Sequence, residues 1–204
     1  MKTFEELGVS EGIRRAIEEM GFVQPMPVQE EVIPFLLGNC NDVIALAQTG
    51  TGKTAAFGIP VLQRIDAKPR PQLGEIGRGL PQALILAPTR ERCLQIADDM
   101  RDFAKYLDGI HIEAVYGGAS IEQQIRALRK GVQVIVATPG RLIDLMKRGV
   151  ARLDDVYNVV LDEADEMLNM GFSESIDEIL AGIPEDRNTL LFSATMSREI
   201  ERIA

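Results

Sequence analysis

Six short apolar runs, at residues 43–47, 83–87, 110–115, 132–137, 156–161 and 189–192, punctuate this 204-residue chain, and each precedes a stretch patterned as a helix. The runs are rich in β-branched residues and lack polar alternation, which is the signature of strands buried on both faces. Such strands need a helical layer on each side. The expected fold is therefore α/β, with a mainly parallel central sheet and helices on both faces. In sheets of this kind ligands bind beyond the carboxyl ends of the strands, so the residues just after each run are the ones to read for chemistry.

The remaining segments fit one globular unit. Ser10 reads as the N-cap of a helix over 11–20, where Ile13, Ala16, Ile17 and Met20 recur at helical spacing, and Gly21 stops it. Pro25 and Pro27 impose an extended approach to a second helix that runs through Leu37 and ends at Gly38. Further helices are expected over 52–65, 89–107, 121–130 and 141–147, from the acidic turn to about 170, and from 197 onward. The Pro- and Gly-rich piece at 68–81 reads as an exposed loop, since a strand and a helix follow on each side. With 46% hydrophobic residues the chain can bury a sizeable core, and none of its apolar runs approaches the roughly 18 residues of a membrane span. The first residues lack the apolar centre of a signal peptide, so the expected location is cytoplasmic. Two cysteines, Cys40 and Cys93, and one histidine, His111, give neither a disulfide framework nor a Cys/His zinc site. His111, between two isoleucines, reads as a strand residue. The formal charge of −9 argues against diffuse binding to a polyanion, so any nucleic-acid contact must come from a local set of donors.

The first run ends in Ala47-Gln48-Thr49-Gly50-Thr51-Gly52-Lys53-Thr54. A glycine-rich turn there can aim backbone N–H groups and a helix N-terminus into one concavity, where phosphate oxygens find donors and the positive end of the helix dipole. Lys53 would reach the β- and γ-phosphates and the Thr54 hydroxyl would serve Mg²⁺. Ala47 stands where the usual pattern has its first glycine, and taken alone the stretch also reads as a flexible turn ahead of a helix. The fifth run ends in Asp162-Glu163-Ala164-Asp165. With a phosphate turn upstream, Asp162 reads as a Mg²⁺ ligand and Glu163 as the group that polarises an attacking water; the competing reading is a solvated acidic helix start.

By these residues the chain resembles the DEAD-box RNA helicases over practically its whole length. The resemblance implies a RecA-like P-loop NTPase domain at 39–204, with a preceding region at 1–38 packed on the same domain. It also implies an ATP-dependent enzyme acting on RNA, with ATP and Mg²⁺ as cofactors. Gly21-Phe22, Pro25 and Pro27-Val28-Gln29 look like the family's adenine-reading motif, with Phe4 as its upstream aromatic. By that likeness Phe22 stacks on adenine, Gln24 adds an edge contact, and Gln29 uses its amide as both donor and acceptor. Read without the likeness, Gln29 is a polar helix residue. Gln48, Thr49, Gly50, Thr51, Gly52, Lys53 and Thr54 would hold the phosphates, with Lys53, Asp162 and Glu163 as the catalytic set. Pro88-Thr89-Arg90, Gly117-Gly118 and Thr138-Pro139-Gly140-Arg141 are similar to the RNA-facing motifs; they offer hydroxyls, backbone N–H groups and guanidinium forks, suited to phosphate and ribose without reading sequence. Read alone, Gly117-Gly118 is a turn, and Thr89 and Thr138 are helix caps. Ser193-Ala194-Thr195 matches the motif that couples nucleotide state to RNA binding, its hydroxyls within expected reach of Asp165; by itself it reads as a strand-to-helix cap.

Two departures are visible. Arg92 and Cys93 stand where the family usually has leucine and alanine. Cys93 fits the helical stripe of Ile96, Ala97, Met100, Phe103 and Leu107, whereas Arg92 either flanks that stripe and snorkels to solvent or adds a phosphate contact. Met26 replaces a commoner threonine, which affects a local cap. The family pairs such a domain with a second RecA-like domain carrying an arginine finger, and no second set of motifs occurs in this sequence. The chain is thus expected to be the N-terminal half of a longer helicase, to bind adenine nucleotide, and to be weakly active or inactive alone. Competing readings are a DNA-directed helicase or translocase of the same superfamily, a small-molecule P-loop kinase, and a nucleotide-gated binding module.

Overall fold

The structure, a computed structural model, describes residues 1–38, 41–47, 52–65 and 79–203. Six strands are found among them: β1 (Val43–Leu46), β2 (Ala83–Leu86), β3 (Ile112–Val115), β4 (Val134–Ala137), β5 (Asn158–Leu161) and β6 (Asn188–Ser193). They form one sheet in the order β1-β6-β5-β2-β4-β3, and every pairing is parallel. Every residue of the four interior strands, β2, β4, β5 and β6, is buried. Alternate side chains enter opposite cores, as the pleat requires. Ala83, Ile85, Val134, Val136, Val160 and Phe192 pack on one face against α1 (Glu11–Glu19), α2 (Pro27–Gly38), α3 (Lys53–Gln63) and α4 (Arg90–Phe103). Leu84, Leu86, Ile135, Val159, Leu161 and Leu191 pack on the other, covered by α5 (Ile121–Lys130), α6 (Pro139–Lys147), α7 (Ala164–Asn169), α8 (Ser173–Ala181) and α9 (Arg198–Ile203). The expected parallel sheet with helices on both faces is thus observed, except at the rim: Ile44 and Leu46 of edge strand β1 are 41% and 61% exposed.

The helix after β1 is the most enclosed of the set. From Lys53 through Leu62 every residue of α3 is buried, consistent with a sequence that is apolar or small all round. Its approach to α4 runs through Gly58, where a Cβ would lie 2.5 Å from Met100 Sδ. A side chain at that position would force the buried Met100 side chain to shift, so the glycine lets Met100 pack directly on the α3 backbone.

Several boundaries differ from the sequence expectation. Ser10 occupies the N-cap of α1 with extended backbone, yet its hydroxyl makes no capping bond; its backbone N–H donates instead to Gln63 Oε1 at 2.9 Å. α4 ends at Phe103 rather than 107, because the chain turns there and sends Lys105 and Tyr106 to Glu19 on α1. The ion pair of Lys105 with Glu19 is 2.7 Å long, and Arg15 lies 4.2 Å over the Tyr106 ring. α8 was not anticipated, although Ile176, Ile179 and Leu180 form a short buried stripe at helical spacing. Cys93 belongs to the core stripe as expected, and burial, helped by the nearby Asp162 charge, pushes its thiol up to about 12. In a Cys40→Ala chain, Cys93 should therefore ignore an aromatic disulfide reagent at pH 8 and react only after unfolding; prompt reaction of the folded chain would contradict this placement.

Candidate active site

Register brings the chemistry-bearing turns to one edge of the sheet. Leu46 of β1 is level with Ser193 of β6, and Leu161 of β5 with Leu191. Asp162, the first residue past β5, is tied to the strand on its other side by an N–H bond to Leu86 O at 2.9 Å. Gln48, Thr49, Gly50 and Thr51 lie outside the described residues, and the turn is picked up again at Gly52. Gly52 has φ +97°, and a Cβ on it would meet Met26 Sδ at 2.8 Å and Gln29 Nε2 at 3.0 Å. Both the backbone sign and the close approach of the α2 entry require glycine here.

Asp162 is fully buried, and two cations converge on it. Lys53 Nζ, on a side chain 3% exposed, stands 3.5 Å from Oδ1. Arg92 Nε donates to Oδ2 at 2.7 Å. The same guanidinium donates through Nη2 to Thr54 Oγ1 at 3.3 Å and through Nη1 to Gln95 Oε1 at 3.1 Å. Oδ1 has no hydrogen-bond partner among the described residues, so one carboxylate oxygen is buried with only the loose Lys53 contact. A buried carboxylate oxygen without a hydrogen-bond donor, together with a hydroxyl bonded to the same guanidinium, offers hard-oxygen groups of the kind that would suit Mg²⁺. No group of three or more His, Cys, Asp or Glu suited to a metal occurs among the described residues.

Glu163 opens α7 in the left-handed region, at φ 51° and ψ 51°, and no other described non-glycine residue has positive φ. It lines a cleft together with Lys53, Thr54, Arg92, Asp99 and Phe22. Asp99, on the same face of α4 as Arg92 and Gln95, has its carboxyl raised above the usual range by burial, against a lowering pull from Arg92. The sequence offered a signal for this row: Arg92, Gln95 and Asp99 recur at i, i+3 and i+7 beside the apolar stripe. Neither reading of Arg92, snorkelling to solvent or contacting phosphate, foresaw that its fork turns inward to the acid.

On the other wall Phe22 lines the cleft with its ring 6.1 Å from Phe103, edge to face, and 6.2 Å from Phe4. Phe4 is 8% exposed and backs Phe22 from the core side, while Gln24 is exposed. Gln29 is 1% exposed. Its Oε1 accepts from Met26 N–H at 2.9 Å and its Nε2 donates to Gly52 O at 3.3 Å. Met26 precedes the first residue of α2, so Gln29 supplies the returning half of a capping box whose other half, a hydroxyl at position 26, is missing. One amide hydrogen and one lone pair of Gln29 are left over by these bonds.

The RNA-facing candidates gather at the ends of β2, β3 and β4. Pro88 is buried, and Thr89 caps α4 by accepting from Arg92 N–H at 3.2 Å, so the helix-cap reading of Thr89 holds locally. Arg90 donates to Gly118 O at 3.4 Å and lies 5.1 Å over the Tyr116 ring. Arg141 donates to Ala119 O at 3.2 Å and to Gln124 Oε1 at 3.1 Å. Both guanidinium groups therefore brace the turn at Gly117 and Gly118, where φ of Gly118 is +81° and both glycines are exposed. Thr138 precedes α6 without a side-chain cap bond, Pro139 takes the first helical position, and Gly140 is exposed. Beyond β6, Ser193 Oγ donates to Thr195 O at 2.7 Å, and Thr195 Oγ1 donates to Asp165 Oδ2 at 3.2 Å.

An all-parallel sheet that carries a lysine–threonine helix start after β1 and a buried aspartate after β5 has the architecture of a RecA-like domain. Its structural neighbours agree: a DEAD box protein from the hyperthermophile Methanococcus jannaschii superimposes with a TM-score of 0.89 at 40% identity, over 99% of this chain and 52% of that one. A hypothetical ATP-dependent RNA helicase from Sulfolobus tokodaii gives 0.81 at 40% identity, over 95% of this chain and 53% of that one. The family model described as DEAD/DEAH box helicase matches residues 26–203, and the chain belongs to that family. Among curated relatives, the DEAD-box ATP-dependent RNA helicase CshA of Geobacillus kaustophilus is 50% identical over all 204 residues, and the ATP-dependent RNA helicase DeaD of Escherichia coli is 50% identical over 201. The chain spans 41% and 30% of the lengths of these two relatives. Among the described residues no helix is long and apolar enough to cross a membrane.

Proposed function

We propose that this chain is the ATP-binding domain of a cytoplasmic, ATP-dependent RNA helicase, coupling Mg²⁺-ATP binding and hydrolysis to RNA binding and local duplex unwinding. The observation that carries the reading is the approach of Lys53 to the buried Asp162, two groups contributed by two turns with a strand between them, while Thr54 is joined to the same carboxylate through the Arg92 guanidinium. In this reading Lys53 and the N-terminal turn of α3 receive the phosphates, and Thr54 and Asp162 hold the metal ion, whose charge offsets that of the phosphate oxygens. Glu163 orients the attacking water from its place in the cleft. Phe22 supplies a face for adenine, with Phe4 behind it, and Gln29 and Gln24 read its edge. Pro88, Thr89 and Arg90, the Gly117-Gly118 turn, and the 138–141 turn grip the RNA backbone. Thr195 and Ser193, bonded to the Asp165 turn and to each other, carry the state of one site to the other. The rest of the active site comes from a second RecA-like domain, in keeping with the greater length of the relatives.

Adenine preference tests this reading at its most specific point. The chain should bind ATP and ADP more tightly than GTP. Gln29→Ala should weaken adenine nucleotides by about 1–3 kcal/mol, since a buried edge would lose a donor and acceptor pair. Calorimetric titration of ATP and GTP, with circular dichroism as a fold control, is the measurement. Equal affinity for the two bases in the parent chain would reject the adenine assignment.

A further inference from the structure

The Arg92 guanidinium bridges the two groups, Thr54 and Asp162, to which the proposed function assigns the metal ion. Nε meets Asp162 Oδ2 at 2.7 Å and Nη2 meets Thr54 Oγ1 at 3.3 Å, and the side chain is 16% exposed. A planar fork holding a carboxylate and a hydroxyl at once, away from water, is a strong and directional contact. It is also an unusual one for this position, where the sequence resemblance leads one to expect a leucine. Three positive groups cannot share one carboxylate at no cost: Lys53, Arg92 and a divalent ion would together crowd a single negative charge.

From this we infer that Arg92 is a built-in cation that ties up Asp162 and Thr54 in the nucleotide-free domain and must release them before Mg²⁺-nucleotide can seat. The inference rests on the nucleotide-site reading above and adds a regulatory step to it. The guanidinium has somewhere to go. Gln95 already accepts from Nη1 at 3.1 Å, and Asp99, four residues further along α4 on the same cleft, feels the Arg92 charge. A rotation of the fork along α4 exchanges Asp162 for Asp99 without removing the charge from a carboxylate. Arg92 also lies two residues past Arg90, on the helix whose start braces the Gly118 turn, so the exchange is mechanically continuous with the RNA-facing edge.

Magnesium dependence of ADP binding tests the idea, with a fluorescent ADP analogue as probe and Mg²⁺ varied from chelated to millimolar. Arg92→Leu should reach half-maximal binding at a magnesium concentration about tenfold or more below that of the parent, because a charge-assisted contact no longer competes with the ion. Arg92→Lys, which keeps the charge but not the fork, should fall between them. In the unmodified chain the Arg92 Nε–H resonance should be slow to exchange with water without nucleotide and become fast when Mg²⁺ and ADP are added. This last measurement needs no variant and no turnover. ADP binding with identical magnesium midpoints in all three chains, or an Arg92 resonance unchanged by Mg²⁺ and ADP, would overturn the inference while leaving the nucleotide site standing. Absence of ADP binding in every chain at every magnesium concentration would overturn the nucleotide site, and the inference with it.

Discussion

Asp162→Asn is expected to lower the melting temperature by roughly 6–12 °C and to abolish the extra stability that Mg²⁺-ADP confers on the parent chain. The carboxylate is fully buried between Lys53, itself 3% exposed, and Arg92. Replacing it with an amide removes the countercharge for two enclosed cations, and breaking a buried pair in this way costs about 3 kcal/mol or more. For a domain of this size each kcal/mol corresponds to about 2–4 °C. The amide can still accept from Arg92, but its NH₂ group then faces Lys53 with nothing to donate to. Differential scanning calorimetry with and without Mg²⁺-ADP separates the two effects. A variant that melts with the parent and still gains stability from Mg²⁺-ADP would show that neither the ion pair nor the metal assignment matters.

Glu163→Gln should leave Mg²⁺-nucleotide binding within about twofold of the parent and remove ATP hydrolysis by a factor of about 10²–10⁴ when the domain is linked to its C-terminal partner domain. The amide keeps the shape of the side chain but does not polarise water. Glu163 makes none of the ion pairs seen at Asp162, so its replacement disturbs no buried charge. The unmodified 204-residue chain by itself should show little hydrolysis and no stimulation by single-stranded RNA if, as proposed above, a second RecA-like domain supplies the rest of the active site. Steady-state phosphate release, with and without RNA, measures both. Normal hydrolysis by the glutamine variant would remove Glu163 from the mechanism.

The sheet was legible because its interior strands are apolar on both faces, and burial of all four residues in each of β2, β4 and β5 is what that pattern demands. The pattern says nothing of how many layers reach the rim, so the exposure of Ile44 and Leu46 was not foreseen. α8 was overlooked because three apolar residues in nine make a faint stripe beside the strong signal of the acidic turn before it. In the site, spacing put Lys53, Thr54 and Asp162 forward as candidates, since a lysine after a glycine turn and an acid after a buried strand are each tied to one local motif. Arg92 could not be resolved in the same way. Its direction depends on the order of strands, which sets β2 beside β5 and so brings the start of α4 over Asp162, 70 residues further along the chain. Likewise the Gln29 amide was recognised through a resemblance, but its bonds to Met26 and Gly52 follow from how α2 lies across the turn before α3.

The left-handed backbone of Glu163 sets stability and chemistry against each other at a single codon. A glutamate held there lies about 1–2 kcal/mol above the same side chain in a right-handed conformation, whereas glycine or asparagine accepts that geometry with little penalty. In the proposed mechanism, where Glu163 orients the attacking water, a replacement that relieves this backbone cost also discards the carboxylate the reaction needs. Under that proposal, thermal robustness in this domain is to be sought at positions other than 163.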